Sequence, residues 1–454
     1  MSSLNPKQKQ DLHNAILNYL TPLVSADSLG QLQKDLEVPH IENDNDLLPK
    51  KWNALLRLQR RITELELKLE QTKKLTPQTK LLDSNSTLVK FNWIPSETKK
   101  SLKATATVTC VDIHPTLPTF VTSSNDGSFT VWNYLDLTQP VAQIQAHSKQ
   151  INHIAISPEP LDFNENNHVL VTVSSDLFVK VWDMKTLKLI RTLTGHEHSV
   201  SSVVFKNSNQ IFTASRDTTI KLWDLKLGWC LKSFKGHSDW VRSLDVNENQ
   251  EFILSGSNDQ SARLSHGESG TGLGLLLGHN QVIETVKFLP SISNKYLDKL
   301  IPEATINDET YKKLGYKYAV TGGRDDIIRL WLLPIPTIRP HNHPIPSSNT
   351  QGLLVTELIG HGSWVKDLAF HPNGKILISC SDDKSIKFWD LQNMSCVNTV
   401  MGHTGFINSI KFAEPVWNNY ENRLLEQLDD EKCDECIRTM FISGGTDEVV
   451  RVWQ

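Results

Sequence analysis

Long apolar segments are missing from this chain of 454 residues. The longest aliphatic stretch, near Leu273–Leu277, is far shorter than the roughly 20 apolar residues that a membrane-spanning helix needs. The first residues, MSSLNPKQKQDLH, are polar and do not have the apolar core of a secretory signal peptide. The sequence therefore predicts neither membrane insertion nor secretion.

Cysteine is scarce, and opposite charges nearly balance. Six cysteines are scattered along the chain, and the formal net charge is only −4. The one Cys-x-x-Cys pair, Cys433 and Cys436, has no second pair of ligands at the spacing of a zinc site. We interpret the cysteines as reduced thiols, which are typical of the cytoplasm. We expect no metal, no cofactor and no nucleic-acid partner.

The most informative feature that is present is a motif repeated seven times. In six copies an aspartate lies six residues before a tryptophan, and in the fourth copy Asp259 lies six residues before Ser265 instead. Gly-His or Ala-His opens every copy except the first. A fixed local pattern that recurs every several dozen residues indicates a repeat protein. The complete pairs are Asp126/Trp132, Asp176/Trp182, Asp217/Trp223, Asp325/Trp331, Asp383/Trp389 and Asp447/Trp453.

Each copy also contains alternating apolar runs that are typical of β-strands. Examples are VSSVVF at 200–205 and ILISCS at 376–381, and such runs are bounded by Gly, Asn and Asp. The whole unit resembles the Trp-Asp (WD) repeat, in which each blade of a β-propeller is a four-stranded sheet. The resemblance covers roughly residues 101–454 and implies an all-β, seven-bladed WD-repeat β-propeller.

This resemblance assigns structural roles to the repeated side chains. In WD repeats the His, the turn Asp, a Ser or Thr before it and the Trp form a hydrogen-bonded chain within one blade. A buried polar group without a partner costs about 1–3 kcal/mol, so we interpret these residues as structural and not as catalytic. They include His196, Asp217, Trp223, His361, Asp383 and Trp389.

Two copies are irregular. The last copy supplies only three strands, and we expect residues 98–104 to add the missing outer strand, which removes an exposed sheet edge. In the fourth copy a Gly-rich stretch, 267–278, follows Ser265. We expect this blade to form all the same, because Asp259 and Arg263 are retained.

Four insertions lengthen the spacing between copies beyond the roughly 40–45 residues of a bare repeat. They are rich in Pro, Asn, Lys and Glu, and we interpret them as surface loops. The insertions are 157–168, 290–317, 334–352 and 413–438.

The N-terminal part has helical periodicity and predicts dimerisation. QKQDLHNAILNYL resembles the LisH dimerisation motif, and we assign residues 1–40 to it; a short helix docked on the propeller is the alternative. A heptad pattern predicts a short parallel coiled coil at 47–76, followed by a linker at 77–100. The residues predicted to form the dimer contacts are Leu12, Ile16, Tyr19, Leu20, Leu55, Leu58, Ile62, Leu65 and Leu69.

The order of LisH-like segment, short coil and seven WD repeats resembles the family of the lissencephaly protein and the fungal nuclear-distribution protein PAC. LLPKKWNALLRLQRRITELELKLE and FNWIP are especially similar to that family. The resemblance implies a non-catalytic homodimer that binds the motor domain of the cytoplasmic dynein heavy chain. It further implies roles in microtubule engagement, nuclear migration and spindle positioning.

The same resemblance extends to partners and location. It implies a NudE-type coiled-coil adaptor and microtubule plus-end proteins as further partners. It places the chain in the cytoplasm and on the cytoskeleton, at microtubule plus ends and the spindle pole.

A partner-binding face is predicted from two kinds of position that project from the same side of a WD ring. Positions beside the turn Asp hold Arg216, Arg324 and Lys384. Positions just after Gly-His hold Trp240, Arg242, Trp364 and Lys366. Exposed Trp and Arg are typical of interface hot spots. The residues that match the family's dynein-contacting set are Arg216, Arg242, Arg324, Trp364 and Lys384.

Other interpretations of this face and of the chain remain open. The basic residues also suit an ordinary solvated surface, and Trp240 and Trp364 also suit packing between blades. A general WD scaffold in a nuclear co-repressor or ubiquitin-ligase assembly is the alternative function, since a propeller alone implies none. A hydrolase is disfavoured because the repeat accounts for the Ser, His and Asp residues.

Overall fold

The computed structural model describes residues that all belong to the unit Phe91–Gln454. The predicted LisH segment, the predicted coil and nearly all of the predicted linker lie outside the described residues, as do Cys433 and Cys436. The described residues are 98–161, 164, 167–301, 308–339, 342–412 and 440–453.

Seven four-stranded antiparallel sheets make up the described part, and each sheet is one blade of a β-propeller. The predicted all-β, seven-bladed fold is confirmed. Blade one consists of Val108–Ile113, Thr119–Ser124, Ser128–Asn133 and Ala142–Gln145; blade two of Ile151–Ile156, Val169–Ser174, Val179–Asp183 and Leu189–Leu193; blade three of Val200–Asn207, Gln210–Ser215, Thr219–Asp224 and Trp229–Lys235.

The remaining four blades include the irregular fourth copy, which forms a complete sheet as expected. Blade four consists of Val241–Val246, Phe252–Ser257, Ser261–His266 and Gly272–Leu277; blade five of Ile283–Phe288, Tyr318–Gly323, Ile327–Leu332 and Leu353–Ile359; blade six of Val365–Phe370, Ile376–Ser381, Ser385–Asp390 and Ser395–Met401; blade seven of Ile407–Phe412, Phe441–Gly445, Val449–Trp453 and Thr98–Lys103.

The ring closes through the strand Thr98–Lys103, which pairs with the last strand of the chain. Leu102 lies opposite Val450 in this pairing, and its side chain is 4 % exposed within the apolar cluster between blades seven and one. The prediction that residues near 98–104 supply the outer strand is confirmed. The strand begins at Thr98, three residues before the start of the region that resembles WD repeats.

Turn chemistry explains why an Asp recurs in every blade. The Asp217 carboxylate accepts a hydrogen bond of 2.9 Å from the backbone N–H of Thr219. The residue between them, Thr218, has a φ of 68° in the left-handed region. An Asp side chain that bonds two residues ahead stabilises such a turn. The residue after the turn Asp has positive φ in all seven blades, at Gly127, Leu177, Thr218, Gln260, Asp326, Lys384 and Glu448.

A hydrogen-bonded chain joins the repeated His, Asp and Trp inside a blade, as the resemblance to WD repeats implied. In blade three His196 Nδ1 lies 2.7 Å from Asp217, and Nε2 lies 2.7 Å from the Thr213 hydroxyl. That hydroxyl also accepts the indole N–H of Trp223 at 2.8 Å. In blade six His361, Asp383, Ser379 and Trp389 repeat the arrangement.

These hydrogen bonds fix the charge of the turn Asp. Burial alone would raise the pKa of Asp217, but the hydrogen bonds from His196 and Thr219 outweigh burial and hold the pKa well below its usual value. The pKa of Asp383 is lowered in the same way by His361 and Ser385, against the effect of burial. Both carboxylates are therefore ionised near neutral pH and accept N–H donors.

One insertion was interpreted wrongly. Residues 290–317 do not form a simple surface loop, because they contain two short helices, Asn294–Leu297 and Asp308–Leu314, with buried apolar residues. Tyr311, Leu314 and Tyr316 join the core cluster of blades four and five, and the Tyr311 hydroxyl donates to the carbonyl of Leu333 at 2.7 Å. Two 3₁₀ turns, Ser291–Ser293 and Asp298–Leu300, flank the first helix.

One other insertion contains a short sheet. Insertion 334–352 carries a two-stranded hairpin, Thr337–Arg339 and Asn342–Ile345. Insertion 413–438 lies outside the described residues. Within the part of the chain that the structure describes, no helix has the length and apolarity needed to cross a membrane.

Candidate functional site

The predicted face is built at the start of the first strand of each blade. Trp240 directly precedes the strand Val241–Val246, and Arg242 is its second residue. Because side chains alternate along a strand, these two side chains lie on the same side, while Val241 between them is fully buried. Trp364 and Lys366 occupy the same positions in blade six.

Each of the two tryptophans is flanked by two cations. The Arg216 guanidinium carbon lies 3.2 Å from the ring centre of Trp240, and that of Arg242 lies 5.8 Å away. The Arg324 guanidinium carbon lies 4.1 Å from the ring centre of Trp364, and Lys366 Nζ lies 5.2 Å away. Cation–π contacts of this kind are worth about 0.5–2 kcal/mol. They join Arg216 of blade three to blade four, and Arg324 of blade five to blade six.

The tryptophans therefore combine the two expected roles: they pack between blades, and they are partly exposed on the predicted partner-binding face. The rings pack against arginines of the preceding blade, yet Trp364 is still 37 % exposed. Phe406, at the same position in blade seven, is also exposed. The face retains accessible aromatic surface beside fixed positive charges.

Glu284 is a residue of this face that the sequence reasoning missed. Its carboxylate accepts a hydrogen bond of 2.5 Å from Arg324 Nε and lies 3.3 Å from Arg242 Nη1. Lys366 Nζ lies 3.9 Å from the same carboxylate. Glu284 thus links blades four, five and six. We call Arg216, Trp240, Arg242, Glu284, Arg324, Trp364 and Lys366 the basic-aromatic cluster.

A signal for Glu284 was present in the sequence. It is the second residue of the first strand of blade five, the position that Arg242 holds in blade four and Lys366 in blade six. A lone acidic residue between two basic ones in this series predicts an ion pair. The series in chain order is Thr109, Asn152, Ser201, Arg242, Glu284, Lys366 and Asn408.

The cluster holds its charges in a partly buried setting. Burial would raise the pKa of Glu284, but Lys366, Arg242 and Arg324 outweigh burial and hold the pKa below its usual value. Burial lowers the pKa of Arg242, and Glu284 opposes that effect. The Glu284 side chain is 9 % exposed, so its charge is screened little by solvent. The carboxylate therefore orients the cations around it.

Lys384 stands apart from the cluster. It follows the turn residue Asp383, whereas Arg216 and Arg324 precede theirs, so the residue equivalent to them in blade six is Asp382. Lys384 is exposed and has a φ of 68°. Among the described residues no ion pair or side-chain hydrogen bond includes Lys384. The structure thus brings together six of the seven predicted partner-binding residues and leaves Lys384 outside.

The basic-aromatic cluster borders the mouth of a central cavity of about 360 Å³. Residues from the first strands of all seven blades line this cavity, including Thr109, Asn152, Ser201 and Asn408. The cluster members at its wall are Arg216, Trp240, Arg242, Glu284 and Lys366. A partner that covers this face therefore also meets the axis of the ring.

The buried reactive side chains of the described ranges that are named here are engaged in the fold. No group of three or more His, Cys, Asp and Glu in those ranges is placed to hold a metal ion. The repeat histidines bond to their Asp and Ser or Thr partners, as His237 does to Asp259 and Ser255. Cys110 is buried, and burial raises the pKa of its thiol to about 12. The face is suited to binding through stacked aromatic rings and paired charges.

Seven closed blades with a repeated His, Asp and Trp network define this chain as a WD-repeat β-propeller. The family model of the WD domain, G-beta repeat, matches residues 96–133, 138–183, 187–224, 228–264 and 352–390. The copies in blades five and seven, which carry long insertions, contribute little to that match.

Comparison with curated proteins places the chain more narrowly. It is 42% identical to the nuclear distribution protein PAC1 of Debaryomyces hansenii, with 99% of both chains covered. It is 41% identical to the protein of that name from Candida albicans, again over 99% of both chains. For Komagataella phaffii the identity is 37%, over 99% of this chain and 97% of the relative. The chain belongs to the family of the nuclear distribution protein PAC1.

Proposed function

We propose that this chain is a non-catalytic regulator of cytoplasmic dynein that acts in nuclear migration and spindle positioning. The name of its relatives, nuclear distribution protein, supports the cellular process. The family resemblance stated above supplies the motor domain of the dynein heavy chain as the partner. The regulator modulates how the motor engages microtubules and where the motor is delivered.

The basic-aromatic cluster is the observation that carries this proposal. Two tryptophans, each flanked by two cations, lie around one buried carboxylate on a single face. Interfaces concentrate their binding energy in such Trp and Arg anchors, and loss of one central anchor typically costs about 2 kcal/mol or more. We assign the motor contact to Arg216, Trp240, Arg242, Arg324, Trp364 and Lys366, with Lys384 at the margin.

Two identical rings are part of the proposal. The LisH-like segment and the coil join two chains, which raises the effective concentration of the second ring once the first has bound. The chain acts in the cytoplasm, at microtubule plus ends and the spindle pole, with a NudE-type adaptor and plus-end proteins as further partners.

The motor assignment is tested by measuring binding of the full chain to a purified dynein motor domain. Replacing Arg216, Arg242, Arg324, Trp364 and Lys384 together by Ala is expected to weaken binding by well over tenfold. A matched control replaces three exposed lysines in the turns between the third and fourth strands of blades two and three, Lys185, Lys188 and Lys226, and is expected to bind like the native chain.

The possible results separate the parts of the proposal. Equal binding by the native chain and the five-residue variant rejects the assigned face. If the native chain does not bind the motor domain, the proposed partner is rejected. Circular dichroism of each variant confirms that the propeller is folded.

Dimerisation is tested separately, in the full chain. Ile62→Asp together with Leu65→Asp places charges in the predicted seam of the coil, and we expect light scattering to give half the native mass at micromolar concentration. A variant that keeps the native mass removes the coil from the proposal.

A further inference from the structure

The tryptophans of blades three and six fill slots of the same composition. In blade three the rim of the Trp223 ring would lie 3.2 Å from a Cβ added at Gly195, and His196 packs 6.1 Å from the ring, measured between centroids. Blade six repeats this with Trp389, Gly360 and His361. The indole N–H donates to a hydroxyl, Thr213 in one blade and Ser379 in the other. The slot is thus a glycine, a histidine and a hydroxyl acceptor.

Blade four builds the same slot without the tryptophan. Gly236, His237 and Ser255 stand in place, and His237 Nε2 lies 2.8 Å from the Ser255 hydroxyl. Ser265 pairs with Gly272 across a register shift, just as Trp223 pairs with Cys230 across a shift in blade three. The strand pairing around Ser265 in blade four is therefore the same as the pairing around Trp223 in blade three.

A cavity of about 130 Å³ occupies the place of the missing ring. An engineered apolar cavity of about 150 Å³ in another protein has room for benzene, and the cavity of blade four is similar in size but also carries the polar groups of His237 and Ser255. A Cβ added at Gly272 meets nothing within 4 Å, so one side of the space is open at that residue. The residues that line the ring's place are Phe234, Gly236, His237, Ser255, Ser265 and Gly272.

Arg263 lines the place of the ring without replacing it as an aromatic group. In blade five Arg329 lies 3.8 Å from the Cβ position of Gly278, and Trp331 lies 2.9 Å from the same position. An arginine at this strand position therefore coexists with the tryptophan. In blade five the atom concerned is Arg329 Cδ; in blade four Arg263 Cδ lies 3.9 Å and Arg263 Nη1 lies 3.8 Å from the equivalent position of Gly236, with no ring beside them.

The hydroxyl acceptor of the slot lacks its usual donor. In blades three and six this hydroxyl accepts an indole N–H at 2.8 Å. Within the described ranges Ser255 Oγ is bonded to His237 and, at 3.4 Å, to the carbonyl of Arg263. The single hydroxyl proton can go to only one of these partners, and in either case a lone pair of Ser255 Oγ remains to accept a further hydrogen bond.

We propose that blade four is a binding site for a flat bicyclic aromatic ring with one N–H donor, such as indole. The ring stacks in the slot between Gly236 and Phe234 and donates its N–H to Ser255. The Arg263 guanidinium lies beside the ring face, where a cation is favourable. This site is separate from the basic-aromatic cluster and does not depend on the proposed partner.

The test measures binding of 5-fluoroindole to the full chain by fluorine NMR. The native chain is expected to bind at least tenfold more tightly than the Ser265→Trp variant, which fills the slot with its own ring. Gly272→Leu closes the open side of the cavity and is expected to weaken binding in the same way. Indene, which has the ring shape without the N–H, is expected to bind less tightly than indole.

Blade three supplies a matched control. Trp223→Ser creates an equivalent slot next to Thr213, and this variant is expected to bind two equivalents of 5-fluoroindole. Equal binding by the native chain, Ser265→Trp and Gly272→Leu overturns the proposal. Binding by the Trp223→Ser slot alone, with none in the native chain, also overturns it.

Two sources of such a ring are distinguished by a second ligand. If N-acetyltryptophanamide binds as tightly as indole, the site takes the tryptophan side chain of a peptide. If indole binds and N-acetyltryptophanamide does not, the site takes a free small molecule. If neither binds, the site is not an aromatic site.

Discussion

Arg324 is held by two partners at once, and one of them is Trp364. Its guanidinium carbon lies 4.1 Å from the centre of the Trp364 ring, while its Nε donates to Glu284 at 2.5 Å. The stacking partner belongs to blade six and the carboxylate to blade five. A guanidinium fixed in both its plane and its direction loses little further entropy when a partner binds.

Removal of Glu284 is expected to disorganise the basic-aromatic cluster. Glu284→Ala deletes the carboxylate that Arg242, Arg324 and Lys366 surround, and hydrogen bonds to charged groups contribute about 1.5–3 kcal/mol. We expect the free energy of unfolding in urea to fall by about 1–3 kcal/mol, and binding to the dynein motor domain to weaken although positive charge is gained.

Glu284→Gln is the matched comparison for this prediction. It keeps the shape and one acceptor oxygen for Arg324 Nε, so it should lose less stability than Glu284→Ala. Tighter motor binding by both variants would show that total positive charge, and not the positions of the cations, controls the contact.

The buried Trp389 of blade six is expected to contribute strongly to the stability of the propeller. Trp389 is 2 % exposed, and its indole donates to Ser379. Trp389→Ala leaves a cavity and deprives Ser379 of its donor, so the free energy of unfolding should fall by about 3–5 kcal/mol. Trp229→Ala is the control, because Trp229 is 72 % exposed, and its effect should stay within about 0.5 kcal/mol. Similar losses in both variants would contradict the prediction.

The closing strand is expected to stabilise the ring through Leu102. This side chain is buried between blades seven and one, whereas its neighbour Ser101 is exposed. Leu102→Ala should lower the free energy of unfolding by about 2–3 kcal/mol, and Ser101→Ala should lower it by less than 1 kcal/mol. Urea titration followed by tryptophan fluorescence measures both. If Leu102→Ala is as stable as the native chain, the closing strand contributes little.

Residues with short-range roles could be predicted from the sequence. The pairing of His196 with Asp217, and the turn that Asp217 makes, depend on positions close in the chain and recur in blade after blade. The outer strand at Thr98–Lys103 also followed, because a ring of sheets leaves one edge to be covered. Each of these local patterns is weak in one copy, and their recurrence in several copies is what made the prediction of the fold possible.

Contacts that do not recur from blade to blade could not be predicted from the sequence pattern. Glu284 binds cations from three blades, and its role depends on which residues occupy the same position in neighbouring copies. The burial of Tyr311 and Tyr316 depends on a single insertion that folds back on blades four and five, and composition alone indicated a loop. Lys384 was grouped with Arg216 because both adjoin a turn Asp, although they lie on opposite sides of it.

Acidification is expected to destabilise the propeller in two stages. Burial lowers the pKa of His147, His279 and His403 below the value of about 6.5 that an unfolded chain has, although their Asp partners oppose this effect. Below pH 6.5 the unfolded state therefore binds more protons than the folded state. A group with a lowered folded pKa contributes its full stability above the unfolded pKa and loses it as the pH falls.

The turn aspartates add to the loss of stability in the second stage. Asp217, Asp259 and Asp383 have folded pKa values below the unfolded value of about 3.9, because the hydrogen bonds that they accept outweigh burial. Their stabilisation is complete above about pH 4 and is lost as the pH falls through the folded pKa. Asp367 acts in the opposite sense, since burial raises its pKa.

The measurement is the midpoint of urea unfolding at about pH 7.5, 5.5 and 3.5. We expect the midpoint to fall at each step. The first decrease comes from histidines, and the second comes from histidines such as His114 and His371, whose pKa is lowered by burial to about 4, together with the turn aspartates. Asp383→Asn removes one titrating carboxylate, so the variant should be less stable at pH 7.5 and should lose less than the native chain between pH 5.5 and 3.5. A midpoint that stays constant from pH 7.5 to 5.5 would contradict the assignment of lowered pKa values to the buried histidines, because their protonation on unfolding has to favour the unfolded state in that range.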